Sequence, residues 1–271
     1  MKVLMTGATG EVAGFIRPML RERYGDVVLS SRSEVEDLQE GESSRPADLT
    51  DRAALDAAME GVDGIIHLGG QSVEDDWQTV LKSNIDGLYT FYEAARGAGV
   101  NRVVFASSIH AIGFYPRHRR IGPDDPTRPD TRYGLSKVFG EGLASFYADK
   151  FGIRTLSVRI GQCVPEPVDA RLQQIWLHPE DFFQLCTIGL EHPDIHNQIV
   201  FGASHNTRNF WDNEPAFRLG YRPKHAAEDY ESPRSLAEET ERDPVADAFQ
   251  GGMFAAEEFD GDLDRALWSA R

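Results

Sequence analysis

The segment that most constrains this chain is its beginning. A short apolar run, residues 2–6 (KVLMT), stops on Thr6-Gly7-Ala8-Thr9-Gly10-Glu11-Val12-Ala13-Gly14. Glycines at 7 and 10 with alanine at 13 form G-x-x-G-x-x-A between an expected strand and an expected helix over 12–23. The first glycine permits a tight turn. The second lets a pyrophosphate approach the backbone, and the small third residue lets the helix pack closely on the strand. The helix N-terminus then offers free N–H groups and a positive dipole end to phosphates. Gly7, Thr9, Gly10, Glu11 and Val12 are therefore candidate contacts for a dinucleotide. A tight turn without a ligand is the competing interpretation.

The remainder of the first half repeats this alternation. Short apolar runs at 27–30, 64–68, 102–107 and 154–160 read as strands, and 53–60, 77–97 and 133–151 read as helices. Such alternation indicates α/β architecture: a Rossmann-type doubly wound parallel sheet with helices on both faces. Residues 1–163 form the expected dinucleotide-binding domain. Regularity weakens from about Gly161, where Pro165, Pro167, Pro179, Pro193, Pro215, Pro223, Pro233 and Pro244 interrupt the chain. Residues 164–271 are expected to form a small, loop-rich C-terminal region, interleaved with the sheet, that closes over its carboxyl edge and binds substrate.

Charge and cysteine usage exclude several function classes. A formal charge of −16 opposes nucleic acid, whose backbone it would repel. Residues 226–271 hold 13 acids against 4 bases, expected as a solvated acidic tail. No apolar run approaches the roughly 20 residues of a membrane-spanning helix, and MKVLMTGATG lacks the apolar core of a secretory signal. No membrane partner and a cytoplasmic location are expected. Two cysteines, Cys163 and Cys186, are too few for a disulfide framework or a zinc site, so no metal is expected.

The end of the second strand discriminates between dinucleotides. An acid there would bind both ribose hydroxyls and favour NAD. This chain has Leu29-Ser30-Ser31-Arg32, and Ser31 occupies the acid's position. A hydroxyl beside a guanidinium suits a 2′-phosphate and leans towards NADP, unless Arg32 is a solvated loop residue. Asp48 and Leu49 are expected to frame the adenine. Leu68, Gly69 and Gly70, at and after the end of the expected strand 64–68, are expected beside the pyrophosphate or ribose.

Tyr133-Gly-Leu-Ser-Lys137 places a phenol and an amine four residues apart, on one side of a helix. Ser108 ends a strand 25 residues upstream, and Asn84 lies in a long helix between strands. Oxidation of a carbinol needs a base as hydride leaves carbon. Tyrosine ordinarily gives up its proton only at about pH 10, so it needs help from a neighbouring ammonium and the positive nicotinamide ring. A drop of 2–3 units corresponds to roughly 3–4 kcal/mol of differential stabilisation.

These residues resemble the extended short-chain dehydrogenase/reductase superfamily. HLGGQSVE (67–74), NIDGLY (84–89), VVFASSIHAIGFYP (103–116), YGLSKVFGE (133–141), RIGQCVPEP (159–167), FWDN (210–213) and FQGGMF (249–254) further resemble uronate dehydrogenases. The resemblance covers about residues 1–254. It implies oxidation of C1 of a pyranose hexuronate, such as galacturonate or glucuronate, to the lactone, with NAD as acceptor. It also implies Tyr133 as base, Lys137 as its partner, Ser108 as hydroxyl anchor and Asn84 as a structural and proton-relay residue. Ile160 joins the implied cofactor set. Ser72, His110, Arg171 and Phe254 fall at implied substrate positions, as do Ile109 and Gln162, and a homo-oligomer is implied.

Three positions depart from the resemblance. Ile109 stands where asparagine is usual, Gln162 where serine is usual, and Ser31 where an acid is usual. The first two leave open another C6-substituted sugar, such as sulfoquinovose or glucose 6-phosphate. A nucleotide-sugar epimerase or dehydratase on the same fold is a further alternative.

Overall fold

A computed structural model describes residues 1–169, 171–230 and 243–268. The core is a seven-stranded, wholly parallel sheet. Its strands are β1 (Val3–Thr6), β2 (Val27–Ser30), β3 (Glu42–Ser44), β4 (Gly64–His67), β5 (Arg102–Ser108), β6 (Arg154–Ile160) and, further along the chain, β9 (Asn197–Gly202). The spatial order is β3-β2-β1-β4-β5-β6-β9, so the direction of winding reverses between β1 and β4. At such a reversal the loops leaving adjacent strands diverge and open a crevice at the carboxyl edge.

Strand alternation sorts the core onto the two faces. Val3 and Met5 join one apolar cluster with Ile16 and Leu20 of α1 (Glu11–Tyr24). Leu4 points to the other, with Leu55 of α2 (Arg52–Ala58) and with Phe91 and Tyr92 of the helix that precedes β5. Each such side chain contributes roughly 1.5–3 kcal/mol by leaving water. The expected single helix over 77–97 is a helical run in three parts: α3 (Trp77–Val80), a wide π-type stretch (Leu81–Asp86) and α4 (Gly87–Gly97). α5 (Arg132–Phe151) follows β5 and lies against it. Gly140 permits the close approach, because a Cβ there would sit 2.4 Å from Cζ of Phe105.

The second half is more regular than its prolines imply. It holds β7 (Gln162–Cys163), α6 (Leu172–Ile175), β8 (Trp176–Leu177) and α7 (Pro179–Glu191), and then β9, the edge strand beside β6. Pro179 opens α7 and Pro244 opens α9 (Pro244–Ala248), while Pro215 is the second residue of α8 (Glu214–Arg218). In the first turn of a helix the N–H has no partner within the helix, so these prolines sit at helix starts instead of breaking chain.

Most described acids of the tail, among them Asp243, Glu257, Glu258, Asp260, Asp262 and Asp264, are exposed as expected, but most of the apolar residues between them are not. Residues 231–242 and 269–271 lie outside the described residues, but 243–256 pack inward. Phe249 is fully buried. Gln250 donates its backbone N–H to Tyr115 O, and its side chain donates to Arg119 O and accepts from Trp211 Nε1. Several acids of the tail cap or pair: Asp243 caps α9, and Glu258 binds Arg132. No described helix is long and apolar enough to cross a membrane.

Candidate active site at the reversal of the sheet

The glycine turn has the expected form. Gly7 adopts φ +66°, and a Cβ there would lie 2.7 Å from Leu68 O. Gly10 is the N-cap of α1, and no side chain caps that helix. The first-turn N–H groups are thus left for an anion, which is the fit a pyrophosphate requires. Beside the turn, Thr9 Oγ1 and Ser31 Oγ are 2.9 Å apart. Arg32 is exposed. Asp48 accepts from Thr50 N and Thr50 Oγ1, and these bonds, helped by the charges of Lys82 and Arg32, hold its carboxyl below the usual range. Leu49 packs beside Gly69, whose Cβ position is 3.4 Å from Leu49 Cδ1.

The Leu68–Gly70 turn is braced from two sides. Thr6 Oγ1 accepts from Gly69 N and contacts His67 Nδ1 at 2.8 Å. Asn84 accepts Gln71 N–H through Oδ1 at 2.7 Å. Its Nδ2 donates to Gln71 O and to Ser136 Oγ. Both amide donors are therefore engaged by protein, and Asn84 braces this turn against α5. Gly70, at φ +125°, must lack a side chain because a Cβ would lie 2.7 Å from Asn84 Oδ1.

Ser108, Tyr133 and Lys137 converge at the carboxyl end of β5. All three are buried. Thr131 caps α5 by accepting Gly134 N–H, which places Tyr133 in the first turn and Lys137 one turn on. Burial and the charge of Asp130 push the Tyr133 phenol up to about 12, while a hydrogen bond with Ser108 pulls the other way. Burial brings the Lys137 ammonium down to about 8, opposed by the Glu141 carboxylate. Lys137 Nζ donates to Ala106 O at 2.8 Å and lies 5.3 Å from the Tyr133 ring centre. Beneath them, Arg159 forms a two-point pair with Glu141 at 2.8 and 2.9 Å, and Ser107 Oγ donates to the same carboxylate. This pair ties β5, α5 and β6 together.

The far wall comes from the second half and the loop after β5. The His110 ring stacks on Phe254, at the start of α10 (Met253–Ala256), with centroids 4.2 Å apart, and meets the Tyr133 ring edge-on at 5.9 Å. Arg171 donates to Gly251 O at 2.9 Å, which holds its guanidinium against the same segment. Gln162 is exposed at the start of β7, and Ser72 is exposed in the loop after β4. Ile160 ends β6 opposite Ser108. Ile109, at an implied substrate position, is 1% exposed and belongs to the apolar cluster of Ile112, Ile175 and Trp176, directly after Ser108.

Several contributors were not singled out in the sequence. Glu74 accepts Tyr133 N–H at 2.8 Å and binds Arg132, which also binds Glu258. That chain of contacts joins the loop after β4, the start of α5 and the tail. Asp130, Glu141 and Arg159 are acids and a base in segments that otherwise read as a loop, a helix and an apolar strand. A charge inside a buried run such as residues 154–160 is the one signal that could have marked Arg159.

The fold and the turn define a dinucleotide-dependent enzyme of the extended short-chain dehydrogenase/reductase type, and residues 3–166 match the NAD dependent epimerase/dehydratase family. Within it the chain is 41% identical over 256 residues to the uronate dehydrogenase of Pseudomonas syringae pv. tomato, covering 94% of this chain and 93% of that one. The glucuronic acid dehydrogenase structure from Chromohalobacter salexigens is 43% identical with a TM-score of 0.89, over 97% of this chain and 98% of that one. A mutant uronate dehydrogenase from Agrobacterium tumefaciens complexed with NAD is 39% identical with a TM-score of 0.86, over 97% and 98%. The chain belongs to the epimerase/dehydratase family, in its uronate dehydrogenase-like branch.

Proposed function

We infer that this protein is an NAD(P)-dependent oxidoreductase that converts C1 of a pyranose hexuronate, galacturonate or glucuronate, to the lactone. The observation that carries this is the convergence of Ser108, Tyr133 and Lys137 at the reversal of the sheet, walled by His110, Phe254 and Arg171. When bound, oxidised NAD(P) supplies the hydride acceptor and a positive charge beside the phenol. Gly7, Thr9, Gly10, Glu11, Val12, Ser31, Arg32, Asp48, Leu49, Leu68, Gly69, Gly70, Lys137 and Ile160 would hold it.

Ser108 donates to or accepts from the anomeric hydroxyl and sets it against Tyr133. Tyr133 takes the hydroxyl proton as the C1–H bond gives up hydride. Burial alone keeps the phenol protonated, so cationic charge at the site is what makes it a base. The Lys137 ammonium, still mainly charged at neutral pH, supplies part of that charge. Arg171, with its forked donors, suits the C6 carboxylate, and Ser72 and Gln162 face the remaining hydroxyls. Residues 164–271 thereby act as the substrate-binding region. Ser31 and Arg32, with no acid at the end of β2, favour NADP. A cytoplasmic homo-oligomer is the proposed working form, with the exposed Leu135, Phe139 and Phe146 on α5 available for self-association.

The test is an absorbance assay for reduced nicotinamide with NAD and NADP against galacturonate, glucuronate, glucose, glucose 6-phosphate and sulfoquinovose. Turnover of the uronates above the others is expected. Equal turnover of sugars lacking an acidic C6 group would overturn the hexuronate assignment. Consumption of no dinucleotide with any of them would point to an epimerase or dehydratase.

A further inference from the structure

Asp130 is enclosed in an unusual way. Its side chain has no exposure, and its Oδ2 lies 2.8 Å from His110 Nδ1. Its Oδ1 accepts from Thr131 Oγ1 at 3.2 Å. Three glycines from three segments surround it. A Cβ on Gly113 or on Gly251 would lie 1.8 Å from Oδ2, and one on Gly134 would lie 2.2 Å from His110 O and 3.1 Å from Oδ1. The loop after β5 and the C-terminal segment forgo a side chain where this carboxylate sits, and the first turn of α5 forgoes one where it meets the His110 backbone.

The consequence falls on His110. An ionised carboxylate only accepts hydrogen bonds, so Nδ1 must carry the ring's proton. In the neutral ring Nε2 is then an acceptor, and no described residue takes it up as a hydrogen-bond partner. Phe254 fixes the plane of the ring by stacking at 4.2 Å, and Asp130 fixes its rotation. The ring edge meets Tyr133, with centroids 5.9 Å apart. We propose that Asp130 is a positioning residue for sugar oxidation, locking His110 in the tautomer whose Nε2 accepts from a sugar hydroxyl beside the one that Tyr133 deprotonates. The proposal rests on the sugar dehydrogenase assignment above. It adds the polarity of one wall: a sugar must present a donor, not an acceptor, to His110. A buried acceptor left without its donor is costly, so the wall discriminates against sugars lacking that hydroxyl.

Two readouts test this, and the first needs no substrate. Nitrogen NMR of histidine-labelled protein, with His110 assigned by its loss in His110→Gln, should show a protonated Nδ1 and a pyridine-type Nε2 at neutral pH. A protonated Nε2 in the free ring would overturn the proposal, whatever the enzyme turns over. The second is a double-mutant cycle on the best substrate of the panel. Asp130→Asn, which keeps shape but allows the amide to donate, is expected to lower kcat/KM by about 10–100-fold, in the range seen when a partner that orients a histidine is lost. The Asp130→Asn/His110→Gln protein should then be no slower than His110→Gln alone. Losses that multiply, or an Asp130→Asn enzyme within twofold of the parent, would show that Asp130 does not act through His110. Loss of uronate turnover in the parent would refute the substrate assignment but leave the tautomer result standing.

Discussion

At the scale of single residues, the site is a contest between burial and charge. Burial raises Tyr133 and lowers Lys137, so both are pushed towards their neutral forms. Oxidation needs the phenolate, whose fraction grows about tenfold per pH unit below its pKa. The expected kcat/KM for sugar oxidation therefore climbs with pH from about 6 to about 8, where the Lys137 ammonium begins to lose the proton whose charge supports the phenolate. Tyr133→Phe should remove that limb and about 10²–10⁴-fold of the rate, with an unchanged melting curve. A Tyr133→Phe enzyme with the parental pH profile would assign the base elsewhere. Ser31 offers a cleaner test of coenzyme choice. Ser31→Asp places a carboxylate where it binds ribose hydroxyls and repels a 2′-phosphate. Its kcat/KM with NADP should fall by about two orders of magnitude while that with NAD rises. Parallel steady-state assays with the two coenzymes would show it, and an unaltered ratio would mean that Ser31 does not face the ribose.

At the scale of elements, the buried Arg159–Glu141 pair is what sets β5, α5 and β6 against one another. Arg159→Met leaves a buried carboxylate with Ser107 as its remaining strong partner. Breaking such a pair costs about 3–5 kcal/mol, and each kcal/mol lowers the melting temperature of a chain this size by about 2–4 °C. Calorimetry of Arg159→Met should show a fall of roughly 10 °C, with kcat reduced because Ser108 ends the loosened strand. A melting point within about 2 °C of the parent would mean the pair contributes no net stability. The elements themselves were unevenly legible. α1 and α5 show in the sequence because a glycine turn and a phenol–amine spacing mark them. The break in the 77–97 helix was hidden, because a π-type stretch leaves the apolar spacing nearly intact and is fixed by the packing of Asn84 against Gln71 and Ser136. α7 was missed for a different reason. Its proline sits at the first helical position, and local sequence alone does not distinguish an opening proline from an interrupting one.

At the scale of the whole molecule, stability and pH are linked through His67. Burial holds this imidazole down to about 3, against an ordinary value of 6.5. The unfolded chain then binds a proton that the folded chain refuses, so stability is fully present above about pH 6.5 and is lost as pH falls towards 3. From pH 6.5 to 5 the loss should be on the order of 2 kcal/mol, a window in which carboxylates contribute little. Urea unfolding at several pH values would measure it. His67→Leu should flatten the dependence between pH 6.5 and 5; an equally steep slope in that variant would place the proton elsewhere.

The sequence by itself determined the class of architecture, the cofactor turn and the catalytic helix. Those features are local: a glycine at φ +66°, a capped helix and a four-residue spacing each follow from neighbours in the chain. Only the tertiary structure decided what faces what. It buried Ile109 in an apolar cluster, turned the acidic tail into a wall carrying Phe254, and enclosed Asp130 among glycines from three separate segments. Such contacts join residues far apart in the chain, and no periodicity along one chain encodes which of them will meet.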